Sequence, residues 1–98
     1  MATFILLTKL SSASFGNPHK RGAVGRKWFE AVKEKCPEIT WIDHYALLGP
    51  FDFMDIYEAP DEKVAAKVSM ITMEKGAVKA ETWAALHYKD FLSVIQSL

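Results

Sequence analysis

The sequence is poor in cysteine and carries no excess of either charge. Its one cysteine, Cys36, excludes an intramolecular disulfide and any multi-cysteine metal site. The three histidines lack the i and i+4 spacing of a metal-binding helix, so we predict no metal ion. No phosphate loop, cofactor fingerprint or nucleophile motif is present, which predicts that no cofactor is bound. A formal net charge of zero removes the long-range field that gathers nucleic acid, and no basic stripe restores it.

Long apolar runs are missing as well. The run at residues 45–48 is far shorter than the roughly 20 residues that cross a bilayer, so we predict no membrane span. Residues 1–7 are mostly apolar, but no basic region precedes them and Lys9 interrupts the run soon after. They therefore predict a first strand rather than a signal peptide. With a single cysteine, the protein is expected in the reducing cytoplasm.

What the sequence does contain is the composition of one folded unit. Half of its residues are apolar (50%), which is typical of a globular protein rather than a disordered or fibrous one. A length of 98 residues leaves no material for a second core. We therefore predict one domain over residues 1–98.

Periodicity and punctuation predict seven elements in the order β-α-β-β-α-β-α. Residues 3–10 indicate a strand buried on both faces, and residues 11–25 a loop. Val24, Trp28 and Val32 share one face of a first helix, which ends at Cys36 and Pro37. The remaining elements are a hairpin (38–48 and 51–59, reversing at Gly49 and Pro50), a helix at 61–75 with Asp61 as N-cap and Gly76 as C′, a strand at 77–85 and a terminal helix.

This order predicts an α+β fold of ferredoxin-like βαββαβ type with a C-terminal helix. In that fold, helices cover one face of a four-stranded antiparallel sheet and leave the other face open. Strands one and two are apolar at nearly every position, which indicates that the second face is also covered. We expect the terminal helix to supply part of this cover and a second copy of the sheet to supply the rest, giving a homodimer or a higher homo-oligomer.

Four segments also resemble a known family: residues 2–8, 45–52, 58–61 and 81–83 look like those of the GYD-domain family of small bacterial proteins. The resemblance implies a ferredoxin-like subunit that pairs into a dimeric α/β barrel, and it implies no general activity. Gly49 and Asp52 match the motif that names the family, whereas Phe51 replaces its usual tyrosine. A role for that tyrosine hydroxyl is therefore absent from this chain.

The strongest candidates for chemistry are the polar residues of the hairpin. If Gly49 and Pro50 form a two-residue loop, His44 faces Asp55 across the strands. Such a pair can act as a general base, because the carboxylate fixes the imidazole tautomer and raises its pKa. The alternative is a satisfied cross-strand pair or a solvent-facing edge pair. Asp52 has two interpretations as well: it either caps backbone N–H groups of the turn or contacts a ligand.

Aromatic residues are the other candidates. Tyr45, Tyr57 and Trp83, together with Trp41 and Phe53, either line an apolar pocket between sheet and helices or belong to the core or an interface. The basic residues before the first helix predict either an anion site at the helix N-terminus or a solvated loop, and they are His19, Lys20, Arg21, Arg26 and Lys27. Cys36 has no group to lower its pKa and is predicted to pack.

These features leave three functions open. The first is a non-enzymatic module that binds an apolar small molecule or another protein. The second is a cofactor-independent oxygenase or isomerase that acts on an apolar or aromatic substrate, by analogy with other dimeric α/β barrels. The third is a purely structural oligomer. A closed, accessible pocket containing His44 and Asp55 would favour the enzyme, and a filled interior would favour a structural or interaction role.

Overall fold

The computed structural model describes residues 1–11 and 21–98. Its elements are β1 (Ala2–Leu10), α1 (Arg21–Lys35), β2 (Thr40–Ala46), β3 (Phe53–Ala59), α2 (Glu62–Glu74), β4 (Ala77–Ala85) and α3 (Tyr88–Gln96). The strands form one antiparallel sheet in the order β2-β3-β1-β4. The predicted α+β, ferredoxin-like arrangement with an added C-terminal helix is confirmed.

The core lies between the sheet and the helices α1 and α2. Because side chains alternate across a strand, one face of β1 carries Phe4 and Leu6 toward the helices. Phe4 lies beside Tyr57 of β3, and both are buried against Val32 of α1 and Val68 of α2. This face of the sheet therefore holds the helices in place.

Helix α2 has the boundaries that its end signals predict. The Asp61 carboxylate accepts a hydrogen bond from the backbone N–H of Val64 at 3.1 Å, which satisfies a free donor of the first turn. Gly76 follows the helix with φ 117°, a conformation that glycine adopts without steric cost. These two residues fix the length of the helix.

Helix α1 begins earlier than predicted, at Arg21, so the prediction of a loop through Gly25 is wrong for residues 21–25. Glycines inside a helix cost roughly 1 kcal/mol each relative to alanine. Here, packing of Trp28 and Val32 against the core offsets that local preference. Residues 12–20 of the predicted loop, including His19 and Lys20, lie outside the described residues.

The β2–β3 connection is longer than predicted, although the strand register is as expected. Ala46 pairs with Phe53, and the N–H of Leu47 donates to the carbonyl of Asp52 at 2.8 Å. The predicted two-residue loop is therefore wrong, since residues 48–51 form the turn. Pro50 has no N–H with which to extend the ladder.

Among the described residues, no helix covers the other face of the sheet. Its centre is formed by Ile5, Leu7, Met54 and Ile56, as the strand pairing and alternation require. Leu7 is buried and Ile5 is half-buried. This surface is called the open face below.

Helix α3 does not cover the open face. None of its residues is buried, and Phe91, Leu92 and Ile95 are exposed. The expectation that the terminal helix covers part of the sheet is therefore wrong within this chain. Among residues 1–11 and 21–98, no helix has the length and apolar character that a membrane crossing requires.

Candidate functional site

A cavity of about 650 Å³ lies on the helical side of the sheet, between β2 and β3 on one side and the helices on the other. Aromatic rings form much of its wall: Trp28 and Phe29 come from α1, Trp41 from β2 and Phe53 from β3. The ring of Trp41 contacts both aromatic rings of α1. Its centroid lies 5.5 Å from that of Trp28 and 5.6 Å from that of Phe29. The cavity is the size of an ordinary small-molecule site.

A β-bulge at Ile42 brings two of the cavity residues together. Trp41 pairs with Tyr57 and His44 pairs with Asp55, while the register shifts by one residue between Trp41 and Asp43. In a regular strand, residues three apart point to opposite faces. The extra residue cancels this difference, so the sheet presents both Trp41 and His44 to the cavity.

The His44–Asp55 pair is the polar centre of the wall. Imidazole Nδ1 of His44 is hydrogen-bonded to Oδ1 of Asp55. Asp55 is 3% exposed, whereas the His44 side chain is 59% exposed and so remains open to solvent. Burial raises the pKa of the Asp55 carboxyl, and the charge and hydrogen bond of His44 act in the opposite direction. The Asp55 carboxylate therefore orients an imidazole that lines the cavity.

Neighbouring residues hold both the ring and the backbone of His44. Its ring stacks on Phe53 with centroids 5.8 Å apart and planes at 16°. Its backbone N–H donates to Oδ1 of Asp43 at 2.9 Å, and Oδ2 of Asp43 accepts from the Tyr45 hydroxyl at 2.7 Å. The hydrogen bond from Tyr45, and then that from His44, lower the pKa of Asp43. Both oxygens of this exposed carboxylate are therefore occupied.

A hydrogen-bond chain holds the Trp28 wall. The indole Nε1–H of Trp28 donates to Oγ1 of Thr72 at 2.9 Å, and the Thr72 hydroxyl donates to the carbonyl of Val68 at 2.7 Å. This chain ties α1 to α2 across the core side of the cavity. It holds one of the two indole rings of the wall in place, which favours a preformed site.

Thr72→Val is expected to lower the free energy of unfolding by about 1–2 kcal/mol, because it leaves the indole N–H of Trp28 without its acceptor. Thr82→Val is the matched control. The Thr82 hydroxyl is buried without a hydrogen-bond partner among the described residues. Its removal should leave stability unchanged or raise it. Urea unfolding of the two variants measures the difference, and equal losses would contradict the role of Thr72.

The predicted site residues are divided among four places, the last of which is the open face. His44 and Asp55 face each other in the predicted register and line the cavity. Tyr57 is 0% exposed and lies in the core. Asp52 accepts a hydrogen bond from the N–H of Leu10 at 2.8 Å, so it caps a neighbouring strand rather than its own turn.

Tyr45 and Trp83 lie on the open face, away from the cavity. Tyr45 pairs with Met54 and Trp83 pairs with Ile5, which places both rings on that face. They are 47% and 51% exposed. The indole N–H of Trp83 donates to Glu81 at 3.1 Å. A role for Tyr45 or Trp83 in the same pocket as His44 is therefore not supported.

Sequence reasoning missed several cavity residues. The helical spacing of Trp28 predicts a core position, and it does pack there, but it also lines the cavity. Phe29, Thr72 and Lys75 carry no motif that singles them out, although all three line it. The adjacent aromatics Trp28 and Phe29 were the available signal. Cys36 is buried and burial raises the pKa of its thiol, which agrees with a packing role.

Three comparisons place this geometry among known proteins. The GYD domain family matches residues 4–95. The "Glutamine synthetase and cystathionine beta-lyase binding protein" of Thermus thermophilus is 28% identical over 97 residues, covering 95% of this chain and 97% of that protein. A solved structure from Thermus thermophilus, that of TTHA0845, has a TM-score of 0.56 and 21% identity, covering 89% of this chain and 95% of its own.

A larger solved protein contains a similar fold. The transcriptional regulator NMB0573 of Neisseria meningitidis, solved as a complex with L-Met, has a TM-score of 0.56 and 18% identity. The match covers 88% of this chain and 50% of the regulator, so the chain spans about half the regulator's length. At these identities, the likeness of both solved structures establishes the fold alone.

Proposed function

The chain belongs to the GYD-domain family, and from that premise we propose that it is a non-enzymatic binding module that holds an apolar small molecule. The observation that carries this proposal is the cavity of about 650 Å³ walled by Trp28, Phe29, Trp41 and Phe53. Sites for small molecules are concave and mostly apolar, with a few placed polar groups. The His44–Asp55 pair supplies such groups here.

The open cavity supports a binding role rather than a purely structural one. In a purely structural oligomer, an open aromatic cavity would only lower stability. Rings left exposed to water lose the free energy of folding that a filled interior would gain. The related Thermus thermophilus protein is itself named for binding two enzymes. A binding role is therefore consistent with both the cavity and the relative.

The glycines of α1 provide a test of the cavity. Gly25 lines the cavity, and a Cβ at this position would meet no atom within 4 Å. Gly25→Phe should fill the space, and Gly25→Ala should leave it open while raising stability by about 0.8–1.0 kcal/mol through helix propensity. Naphthalene, followed by quenching of tryptophan fluorescence, is a suitable apolar probe.

We expect saturable naphthalene binding to the natural chain and to Gly25→Ala, and a loss of at least about tenfold in affinity for Gly25→Phe. Native mass spectrometry of the purified protein would identify a copurified ligand by its mass. Absence of saturable binding to the natural chain would overturn the proposal. If naphthalene bound Gly25→Phe as tightly as the natural chain, the probe would bind outside the cavity.

We also propose that the open face joins two copies of the chain. Its aliphatic centre is flanked by the half-exposed rings of Tyr45 and Trp83, whose polar atoms are already bonded to Asp43 and Glu81. Exposed apolar surface with aromatic residues is characteristic of interfaces between proteins. The exposed apolar residues of α3 add to the surface that an assembly can bury.

Light scattering tests this assembly. The natural chain should have twice the 11.0 kDa mass of one chain, and Trp83→Glu should shift it toward the single-chain mass. Met70→Glu is the control, because Met70 is exposed on α2, on the opposite side of the sheet. A single-chain mass for the natural protein at micromolar concentration would exclude the dimer.

An enzyme that transfers protons is the second candidate, and the His44–Asp55 pair is the observation that favours it. With Nδ1 bonded to Asp55, the other ring nitrogen of His44 is free to accept a proton from an acidic C–H or O–H group. Hydrogen–deuterium exchange at the α-carbon of 2-tetralone, followed by NMR, tests this activity. Exchange that disappears in His44→Gln would support an isomerase, and exchange at the buffer rate would exclude this chemistry for the probe.

A further inference from the structure

We propose, on the basis of the binding role above, that the ligand is a neutral planar molecule with a weakly acidic hydroxyl, of phenol or enol type, which donates a hydrogen bond to Nε2 of His44. Three properties of the cavity lead to this class. They are the hydrogen-bonding state of the imidazole, the flat space between the surrounding rings and the distribution of charge around His44.

The imidazole is set up as an acceptor. The Asp55 carboxylate can only accept a hydrogen bond, so Nδ1 of His44 carries the shared proton. In the neutral tautomer that this hydrogen bond selects, the lone pair lies on Nε2. Nε2 has no hydrogen-bond partner within the part of the chain that the structure describes. A ligand in the cavity can therefore satisfy it with an O–H donor.

The surrounding rings favour a flat ligand. His44 stacks on Phe53, and the rings of Trp28, Phe29 and Trp41 form the walls on the other sides. An aromatic ligand gains from offset or edge contacts with such rings, in addition to the apolar area that it buries. A planar ligand packed among these rings would direct its edge toward His44. A hydroxyl on that edge could then reach the imidazole.

The charges disfavour an ionic ligand. An anion would meet the buried carboxylate of Asp55 beside His44, and Lys75 is the one lysine or arginine among the described residues of the wall. Within residues 1–11 and 21–98, a cation would find no free carboxylate beside His44. Asp43 uses both oxygens for Tyr45 and the His44 backbone, and Asp55 is engaged by the imidazole. A neutral donor fits this balance best.

Matched naphthalene derivatives test the ligand class. The probes are 2-naphthol, 2-methoxynaphthalene, 2-naphthoate and 2-naphthylmethylamine, each titrated at pH 7 by quenching of tryptophan fluorescence. The methoxy compound keeps the oxygen and removes only the donor. We expect 2-naphthol to bind roughly 3- to 10-fold more tightly than 2-methoxynaphthalene, the increment of one hydrogen bond. Both charged probes should bind more weakly than 2-naphthol.

A spectroscopic measurement assigns the contact to His44 without a mutation. The ¹⁵N resonance of His44 Nε2 should shift when 2-naphthol is added and stay in place with 2-methoxynaphthalene. His44→Phe keeps a ring beside Phe53 and should abolish the preference for the hydroxyl. His87→Phe is the matched control, because His87 is exposed at the start of α3, away from the cavity.

The outcomes separate this inference from the binding role on which it rests. Equal affinities for 2-naphthol and 2-methoxynaphthalene would overturn the inference and leave the binding role standing. Tighter binding of either charged probe than of 2-naphthol would also overturn it, as would a preference for the hydroxyl that survives in His44→Phe. If neither neutral probe binds, both proposals fail.

Discussion

Tyr57→Ala is expected to lower the free energy of unfolding by about 3–5 kcal/mol, the cost of removing a large aromatic side chain from a core. Tyr57 is 0% exposed and stacks on Phe4, with ring centroids 5.8 Å apart. Its ring also lies 5.6 Å from that of Trp41. The substitution leaves a void between strands and helices that these neighbours cannot fill.

Tyr57→Phe should change stability in the opposite direction, by about +1 kcal/mol. The hydroxyl of Tyr57 is buried and has no hydrogen-bond partner among residues 1–11 and 21–98. Burial raises the pKa of this hydroxyl, which reflects the same cost of removing it from water. Phenylalanine keeps the ring contacts and removes the unpaired polar atom.

Urea unfolding of both variants measures these effects, and Tyr88→Phe on the exposed surface of α3 is the control. Because Tyr57 lies in the core, Tyr57→Phe should also leave naphthalene binding unchanged. A loss of stability in Tyr57→Phe would show that the hydroxyl has a partner. A loss of binding with stability retained would return Tyr57 to the ligand site.

The fold was predictable because its local signals agree with its tertiary packing. Asp61 and Gly76 define α2 in both the sequence and the structure. The glycines of α1 are the exception, since Gly22 and Gly25 indicate a loop by propensity alone. The spacing of Trp28 and Val32 predicts the helix itself, but not that their packing against the core would carry it through these glycines.

The His44–Asp55 pairing was predictable and the rest of the cavity was not. Residues 47 and 52 continue the ladder, so an incorrect loop length still led to the correct register. The bulge at Ile42 has no such signal, and a regular strand would place Trp41 and His44 on opposite faces. The same alternation places Tyr45 on the open face, which composition alone does not reveal.

His44→Ala is expected to lower the free energy of unfolding by about 1–3 kcal/mol at pH 7, because it leaves the buried Asp55 carboxylate without its donor. The matched comparison is the double variant His44→Ala/Asp55→Asn. It lacks the same imidazole and replaces the charged carboxylate with a neutral group of similar shape. At pH 7 the double variant should therefore be the more stable of the two.

The pH dependence of that difference identifies the carboxylate as its cause. Burial already raises the pKa of Asp55 in the natural chain, and removing His44 takes away the charge and hydrogen bond that oppose the rise. A folded-state pKa above the unfolded one means that the folded state binds the proton more tightly. The stability that Asp55 contributes is therefore fully present below about pH 3.9 and is lost as the pH rises through the folded-state pKa.

Urea midpoints of the two variants between pH 3.5 and 8 test this directly. The gap between His44→Ala and the double variant should be largest near neutral pH and should close as the pH falls toward 3.5, since both side chains are then neutral. A gap that stays constant with pH would show that the charge of the Asp55 carboxylate is not its cause. Because both variants lack His44, titration of the imidazole cannot produce the predicted change.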